Sequence, residues 1–364
     1  MKYIYNDPNW PSFTWDKVRV LESLSKTKYA QGLLLGKARA LGFGYQEEAT
    51  LNTIIEDVTK SSEIEGEILN KEQVRSSIAK RLGINTAGSI YVERNVEGVV
   101  EMMLDATQNH DKIFTIDRLF SWQAAIFPTG FSGMHKIITG IFRDDAKGSM
   151  QVISGAIGRE KVHYEAPPAS SLLKEITDFI HWLNKEPEID GLLVAAIAHL
   201  WFVTIHPFED GNGRIARAIT DMLLAKAEKS SQRFYSMSAQ IKLERKQYYD
   251  ILEDTQKGSL DITNWFIWFL ECLYRAINNS ENRLKSVFSK AVFWQTHENI
   301  NLNERQKKML NMLLDGFKGN LTSSKWATIC KCSQDSANRD ITNLLIKNIL
   351  LKVGDGRSTH YIIS

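Results

Sequence analysis

A polar segment at residues 206–217, with the sequence HPFEDGNGRIAR, separates two stretches that predict helices. The stretch before it (GLLVAAIAHLWFVTI, residues 191–205) is apolar almost throughout, which predicts a helix buried on most sides. It is short for a membrane span, so we expect a core helix. Pro207 ends that helix, since its ring cannot continue the hydrogen-bond ladder. Two glycines and an asparagine then predict a tight turn before an amphipathic helix over residues 215–227.

This turn and the helix start after it are suited to binding an anion. Small residues at 211–213 let backbone N–H groups approach a phosphate, and a helix N-terminus adds partial positive charge. Arg214 and Arg217 lie on one helix face, where their guanidinium groups can contact phosphate oxygens. Asp210 suits a Mg²⁺ ion held mainly by a nucleotide, and His206 suits a general base near neutral pH. The alternative, a glycine-rich turn with surface arginines, explains neither Asp210 nor His206.

The segment HPFEDGNGRIAR resembles the signature of Fic-domain proteins, HxFx(D/E)GNGRxxR, at every fixed position. Proteins of this family typically transfer AMP from ATP to a Ser, Thr or Tyr hydroxyl of a target protein. The resemblance therefore implies a nucleotidyltransferase that uses ATP and Mg²⁺. It implies that His206 deprotonates the hydroxyl, that Phe208 anchors the loop and that Asp210 holds Mg²⁺. The residues implied in binding the phosphates are Gly211, Asn212, Gly213, Arg214 and Arg217.

A second motif lies earlier, at residues 61–66 (SSEIEG). The residues that fit the family's inhibitory motif, (S/T)xxxE(G/N), are Ser61, Glu65 and Gly66. Its place before the catalytic segment resembles the class with an N-terminal inhibitory helix. The resemblance implies that Glu65 pairs with Arg217, which removes a donor for the γ-phosphate and puts negative charge in its place. The alternative is an ordinary acidic helix C-terminus, and whether Glu63 or Glu67 assists stays open.

A pair of tyrosines follows the catalytic segment. In related proteins a Tyr-Tyr-x-x-Leu sequence and a later Asn border the adenine ring. Tyr248, Tyr249 and Leu252 match this sequence, while Gln256 stands at the position of the Asn. The resemblance implies that the two tyrosines contact the base, although aromatic residues at this spacing are also typical of an ordinary core.

Residues 140–168 are the longest stretch without helical periodicity. Alternation through residues 141–143 and 148–155, and again through residues 161–166, predicts two strands paired across Gly158. Fic proteins carry a β-hairpin here, so the resemblance implies a flap over the active site, formed by residues 148–166. Its exposed edge would dock an extended target segment by strand addition. A plain surface hairpin is the alternative.

The rest of the chain flanks this core. We expect a helical N-terminal region at residues 1–95, which begins with an aromatic arm and contains the inhibitory helix. A Fic catalytic core at residues 96–285 follows it. Residues 300–364 predict three helices and two short strands, and this order resembles a winged helix-turn-helix.

The C-terminal tail is locally basic. Residues 303–364 contain ten Lys or Arg against five Asp or Glu, which favours DNA binding. In that interpretation Asn338 and Arg339 lie near base edges and Arg357 lies in the wing. The alternative is a protein-interaction or dimerisation module.

Composition limits the function classes. The chain is 43% apolar and 24% charged, as ordinary globular proteins are, and its net charge of +2 indicates no strong attraction to nucleic acid or membrane. Three cysteines exclude a disulfide framework and are poorly spaced for zinc. The N-terminus shows no apolar signal region, so we expect a cytoplasmic protein.

These features together predict a mainly α fold: a helical N-terminal region, a Fic-type helical core with a β-hairpin flap, and a winged helix-turn-helix tail. We expect an autoinhibited protein adenylyltransferase, with removal of AMP as a related activity of the same site. The alternative is a DNA-binding transcriptional regulator that uses the Fic core as a nucleotide sensor. Expected partners are ATP, a target protein docked on the flap, the chain itself as substrate, DNA at residues 303–364 and a second copy in a homodimer; no membrane is expected.

Overall fold

The computed structural model describes residues 3–41, 43–84, 90–146, 148–155, 159 and 161–364, and it is mainly helical. Its α-helices are α1 (Lys17–Arg39), α2 (Phe43–Ile64), α3 (Lys71–Leu82), α4 (Arg94–Gln108), α5 (Ile116–Ile126), α6 (Leu172–Asn184), α7 (Gly191–Ile205), α8 (Asn212–Glu228), α9 (Met237–Leu243), α10 (Arg245–Gln256), α11 (Thr263–Thr296), α12 (Glu304–Leu314), α13 (Ser323–Cys330) and α14 (Gln334–Ile346). Its strands are β1 (Phe131–Ser132), β2 (His135–Lys136), β3 (Gln151–Ser154), β4 (Lys161–Glu165), β5 (Leu350–Val353) and β6 (His360–Ile363).

The chain divides into two compact units. The first comprises Met1–Gly36 with Gln46–Glu281, and the second comprises Lys37–Tyr45 with Asn282–Ser364. The motif at residues 61–66 and the segment at residues 206–217 therefore belong to the same unit. The finer domain boundaries at residues 95, 285 and 300 stay predictions.

Helix α7 is buried along its length, because nearly all of its side chains are apolar. Every residue from Leu192 to Ile205 is buried. Its most extensive packing is with α8, which buries Ile215 and Ile219. Full burial of such a side chain contributes roughly 1.5–3 kcal/mol, so this pair of helices fixes the turn between them. Among the described residues, no helix is both long enough and apolar enough to cross a membrane.

The aromatic N-terminal arm packs on the first unit, as its composition predicts. Tyr3 and Tyr5 stack on each other and meet Tyr164 of β4 edge-on. Trp10 and Phe13 contact the α7 tryptophan at position 201 in the same geometry. The arm therefore contacts both the flap and the helix that leads into the candidate site.

Strands β3 and β4 form the antiparallel hairpin predicted for the flap, with an irregular register between Val152 and Ile153. The prediction of a strand at residues 141–143 is wrong, because β3 begins only at Gln151. The backbone N–H of Arg143 instead donates to the carbonyl of Pro207 (3.0 Å), so residues 141–143 are bonded to the segment at residues 206–217. The turn predicted at Gly158 lies outside the described residues.

Periodicity in the sequence also predicts a helix over residues 90–109, a break at residues 82–89 and an apolar helix over residues 261–276. Helix α4 begins at Arg94 rather than at residue 90, because Glu93 before it is extended (φ −68°, ψ 147°). Helix α3 ends at Leu82, where the break was predicted; residues 85–89 of that break lie outside the described part of the chain. Helix α11 runs on to Thr296, well past the predicted end at residue 276, since no Pro or Gly interrupts the sequence between them.

In the second unit, α12, α13 and α14 precede the antiparallel hairpin of β5 and β6. This is the order of elements expected from the sequence. Asp340 on α14 pairs with Arg305 on α12 (2.7 Å). The apolar core of the second unit includes Leu302, Met309, Leu310, Leu321, Trp326, Ala337, Ile341, Leu344, Ile349 and Leu350. The relationship to winged helices stays a prediction.

Candidate active site

Helix α7 ends at His206, whose backbone is left-handed (φ 51°, ψ 58°). This conformation is uncommon for a residue with a Cβ, so surrounding contacts must hold it. The ring Nδ1 lies 3.2 Å from the carbonyl oxygen of Val203. A proton on Nδ1 can donate to that oxygen, and this tautomer leaves the Nε2 lone pair available.

The environment of His206 favours the neutral imidazole. Burial lowers the pKa of His206 to about 4, and the positive charge of Arg143 acts in the same direction. The Val203 carbonyl and the carboxylates of Glu65 and Asp210 act in the opposite direction and are outweighed. The ring is therefore neutral at pH 7 and able to accept a proton.

The side chain of Asn212 holds the turn after His206. It accepts from the N–H of Phe208 (3.0 Å) and donates to the carbonyl of the same residue (2.7 Å). Phe208 is fully buried against Phe120 and Phe142. Gly211 is left-handed (φ 89°), and an added Cβ would lie 2.6 Å from a side chain of α5. Because both polar atoms of the Asn212 side chain are bonded to Phe208, a phosphate contact at Asn212 would use the backbone N–H of that residue.

Asp210 lies at the partly exposed side of the turn, with 39% of its side chain accessible. One carboxylate oxygen accepts the N–H of Gly211 (2.5 Å), and the other accepts the hydroxyl of Ser132 on β1. No group of three His, Cys, Asp or Glu side chains that could hold a metal occurs within the described part of the chain. A cation at Asp210 would therefore take most of its ligands from a nucleotide and water, as Mg²⁺ does in nucleotide sites.

Arg214 and Arg217 lie in the first two turns of α8 and are 4% and 2% exposed. A buried N–H without an acceptor costs about 1–3 kcal/mol, so each guanidinium group needs partners. Nε of Arg214 and Nη1 of Arg217 have no hydrogen-bond partner within the residues that the structure describes. Both side chains therefore carry donors that an anion could satisfy.

The C-terminus of α2 reverses sharply next to these arginines. The N–H of Glu67 donates to the carbonyl of Ser62 (3.0 Å) across Gly66, which is left-handed (φ 89°). This is the Schellman ending that glycine favours. From outside the helix, Lys242 and Arg245 donate to the carbonyls of residues 63 and 64 (2.7 and 2.8 Å). The end of α2 is thus fixed both by its own turn and by α9 and α10.

Glu65 lies over the start of α8. Its Oε1 is 2.7 Å from Nη2 of Arg217. Ser61 binds the same guanidinium group, accepting at its hydroxyl (2.8 Å) and at its carbonyl (2.9 Å). An added Cβ on Gly213 would lie 2.2 Å from Oε1 of Glu65, so the missing side chain is what leaves room for the carboxylate. The structure contains the pair expected from the motif; its inhibitory role stays a prediction.

A second ion pair joins the same two elements. Glu67 lies 2.7 Å from Nη1 of Arg214, whereas Glu63 pairs with its neighbour Lys60 (2.8 Å). Of the two acidic residues that the sequence left open, it is Glu67 that reaches the candidate site. The Schellman turn explains this, because it redirects the chain after Gly66 toward α8.

The two tyrosines differ in their surroundings. Tyr248 is 2% exposed, and its hydroxyl lies 2.8 Å from Nε2 of His199 on α7. Nδ1 of that histidine lies 2.8 Å from the hydroxyl of Thr220 on α8. Tyr249 is partly exposed and lies under the guanidinium group of Arg245. Tyr248 therefore links α7, α8 and α10, and its contact with adenine, like that of Tyr249, stays a prediction.

The flap is attached to α10 through His163. One ring nitrogen contacts Glu253 of α10, and the other lies 2.6 Å from the hydroxyl of Ser154 on β3. Sequence reasoning missed this link, and also the Ser132 and His199 contacts, because each joins residues far apart in the chain. Only Glu67, adjacent to the motif, had a local signal.

Comparison with known proteins identifies the segment that carries the site. The model of the Fic/DOC family matches residues 113–224, and a domain of unknown function (DUF4172) matches residues 3–84. The chain is 30% identical over 96 residues to protein adenylyltransferase fic-1 of Caenorhabditis elegans, which covers 26% of this chain and 18% of that protein. It is 35% identical over 115 residues to protein adenylyltransferase Fic of Nematostella vectensis, which covers 31% and 25%.

These alignments span a quarter or less of the length of the curated relatives. The fold is shared over more of the chain. The crystal structure of a Fic family protein from Desulfovibrio desulfuricans G20 superposes with a TM-score of 0.60 at 18% identity and covers 97% of this chain and 98% of that one. Residues 113–224 end within α8 and include the whole HPFEDGNGRIAR segment. They form a Fic/DOC-family domain, and the chain is a Fic-domain protein.

Proposed function

We propose that the protein is an autoinhibited adenylyltransferase, which transfers AMP from ATP to a Ser, Thr or Tyr hydroxyl of a target protein or of itself. The observation that carries the proposal is the group of buried, incompletely partnered arginine donors at the start of α8, next to the neutral imidazole of His206. The names of the Caenorhabditis and Nematostella relatives support the same reaction.

The start of α8 would bind the nucleotide phosphates. The first N–H groups of a helix have no intrahelical acceptor, and here Gly211 and Gly213 lack side chains that would cover them. Arg214 and Arg217 add guanidinium donors at the same end of the helix. Such fixed donors stabilise the negative charge that develops on the pyrophosphate leaving group.

Asp210 would hold a Mg²⁺ ion bound to the nucleotide. It fits this role because its carboxylate is partly exposed and fixed by Gly211 and Ser132. When bound, Mg²⁺ neutralises phosphate charge.

His206 would act as the general base. The target hydroxyl oxygen forms a bond to the α-phosphorus of ATP, the bond from that phosphorus to the bridging oxygen breaks, and pyrophosphate leaves. Nε2 of His206 takes the hydroxyl proton. The Nδ1 contact with Val203 keeps the ring oriented for this transfer.

The end of α2 would inhibit the reaction. Glu65 occupies Arg217 and Glu67 occupies Arg214, so two carboxylates stand where phosphate oxygens would otherwise be bound. ATP could then bind only after these contacts break, or in an orientation unsuited to in-line attack.

Intact-mass measurement after incubation with ATP and Mg²⁺ tests the proposal. Three proteins are compared: wild type, Glu65→Gly, and Glu65→Gly combined with His206→Ala. We expect an AMP-sized increment that is strongest in Glu65→Gly and absent from the double variant. If all three stay unmodified, the same comparison with other nucleotides and with cell lysate as the source of targets decides the matter. Silence there, or modification of the double variant, would contradict the proposal.

Hydrolytic removal of AMP is a related activity of the same site, with Glu65 guiding the attacking water. A target modified beforehand is incubated with wild type or with Glu65→Gly, and loss of AMP is followed by mass. Equal rates for the two proteins would contradict a role for Glu65 in removal.

The flap offers a place for the target segment. Ile153 on β3 and Val162 on β4 are 55% and 40% exposed, which is typical of a strand edge that accepts an added strand. Replacing Ile153 by Lys should reduce modification of a protein target more than it reduces nucleotide binding. Equal losses of both would contradict docking on the flap.

DNA binding by residues 303–364 is the second candidate function. Asn338 and Arg339 are exposed side by side on α14, and both side-chain types read base edges. An electrophoretic shift that disappears when residues 303–364 are removed would favour the regulator. Transfer activity in the same preparation would show that both functions coexist.

A further inference from the structure

Arg143 is a buried arginine outside the motif. Only 3% of its surface is exposed. Its Nε donates to the carbonyl of His206 (2.8 Å), and its Nη2 donates to the carbonyl of Pro167 (2.5 Å) at the end of the flap. Its Nη1 pairs with Asp145 (2.9 Å), and its backbone N–H donates to the carbonyl of Pro207 (3.0 Å). The side chain and backbone of one residue therefore bind both peptide units of the His206–Pro207 segment.

These contacts answer a requirement of the fold. The left-handed backbone of His206 is strained and persists only where its surroundings over-determine it. Helix α7 also ends there, and the last carbonyls of a helix carry partial negative charge. A guanidinium group that donates to the His206 carbonyl satisfies one of these groups and fixes the orientation of the peptide that carries the imidazole.

The charge of Arg143 acts on the same ring. Among the described residues, Arg143, Glu65 and Asp210 are charged groups that act on His206, and Arg143 is the positive one of these three. A nearby positive charge disfavours the imidazolium form. Arg143 therefore works together with burial to keep the base neutral.

We propose that Arg143 is a positioning residue for His206: it fixes the peptide that carries the imidazole and places a positive charge next to that peptide. The proposal deepens the proposed transferase function and rests on it for its kinetic consequences. The contact with Pro167 extends the assignment to the flap, because one guanidinium group bridges the segment that carries the base and the end of the segment proposed to dock the target.

The test uses the full chain with Arg143→Gln and Arg143→Lys. Arg118→Gln is the matched control, since Arg118 also donates to backbone carbonyls, those of Asp105 and Asn109 (2.9 and 3.1 Å), but outside the motif. Thermal unfolding reports the general cost of losing such an arginine. NMR titration of the His206 ring, assigned by its loss in His206→Ala, reports the local effect without any need for activity.

We expect Arg143→Gln to move the His206 titration upward by at least one pH unit and Arg143→Lys to leave it low, because lysine keeps the charge. In the Glu65→Gly background both variants should lower kcat, by about 100-fold for the glutamine variant, with KM for ATP changed less than threefold. Arg118→Gln should lower the unfolding midpoint but leave titration and kcat unchanged.

A folded Arg143→Gln protein with an unchanged titration of His206 would overturn the assignment, and so would an equal shift in Arg118→Gln. Failure of both Arg143 variants to fold would also overturn it, because Arg143 would then be a requirement of the fold and not of the base. If the Glu65→Gly parent transfers no AMP, the proposed function fails, while the titration still decides whether Arg143 controls His206.

Discussion

At the scale of single residues, the candidate site combines a buried imidazole with two buried, paired arginines. Burial and Arg143 hold the imidazole of His206 neutral. Arg214 and Arg217 are paired with Glu67 and Glu65, respectively. In the proposed function, a neutral base and two buried cations suit proton transfer to a ring nitrogen near bound phosphates.

The titration of His206 is the first prediction. Because the folded pKa is lowered to about 4 from an ordinary value of 6.5, the folded protein takes up this proton only in strong acid. The unfolded chain binds the proton already below pH 6.5, so this residue makes the folded state less stable as the pH falls from 6.5 toward 4. NMR of the ring in wild type should show no protonation of His206 at pH 6; a midpoint near pH 6.5 would contradict the environment described.

A second prediction separates the three glutamates at the end of α2. Glu67→Gln removes the charge that pairs with Arg214 and should raise self-modification about two- to fivefold, less than Glu65→Gly does. Glu63→Gln is the control, because that carboxylate pairs only with Lys60 among its described contacts. Quantified AMP incorporation measures the effect. Equal rates in Glu67→Gln and Glu63→Gln would remove Glu67 from the inhibitory contact.

At the scale of elements, the end of α2 and the start of α8 meet as two helix termini. Local spacing predicted His206, Asp210 and the two arginines, because all of them lie within one short segment. The contacts of Glu67 with Arg214 and of Arg143 with His206 could not be predicted in this way. They join residues 147 and 63 positions apart and depend on how helices and loops pack.

The left-handed glycine of α2 gives a third prediction, at this scale. Gly66 has φ 89° and open space around its Cα, so alanine there suffers only from the backbone conformation, at about 1 kcal/mol. Gly66→Ala should loosen the Schellman turn and raise self-modification several-fold. Gly83, at the end of α3 with φ 70° and equally open space, is the matched control. Both alanine variants should lower the unfolding midpoint by a similar amount. Increased self-modification in both would contradict a specific effect of the turn at Gly66.

At the scale of the whole molecule, each compact unit has a core of its own. Trp326 is fully buried in the second unit, and its replacement by Ala should cost about 3–5 kcal/mol there. Hydrogen exchange should then show lost protection in α12, α13 and α14, with protection retained in α7 and α8. Loss of protection in both units would contradict the division. The mainly helical class of both units followed from periodicity, whereas the extent of α11 did not, because its second half lacks an apolar stripe as clear as that of its first.

The burial of Arg217 links activation to fragility. Glu65 supplies negative charge to the guanidinium group of Arg217, which is 2% exposed. Removing the Glu65 carboxylate therefore leaves a buried cation without its charged partner. With the Ser61 contacts still in place, Glu65→Gly should lower the free energy of unfolding by about 3 kcal/mol and the unfolding midpoint by on the order of 5 °C. The phosphates of bound ATP would replace the missing negative charge next to Arg217. Calorimetry should therefore show that ATP raises the unfolding midpoint of Glu65→Gly more than that of wild type. In the proposed function, Glu65 would therefore both inhibit the transfer of AMP and stabilise the folded protein.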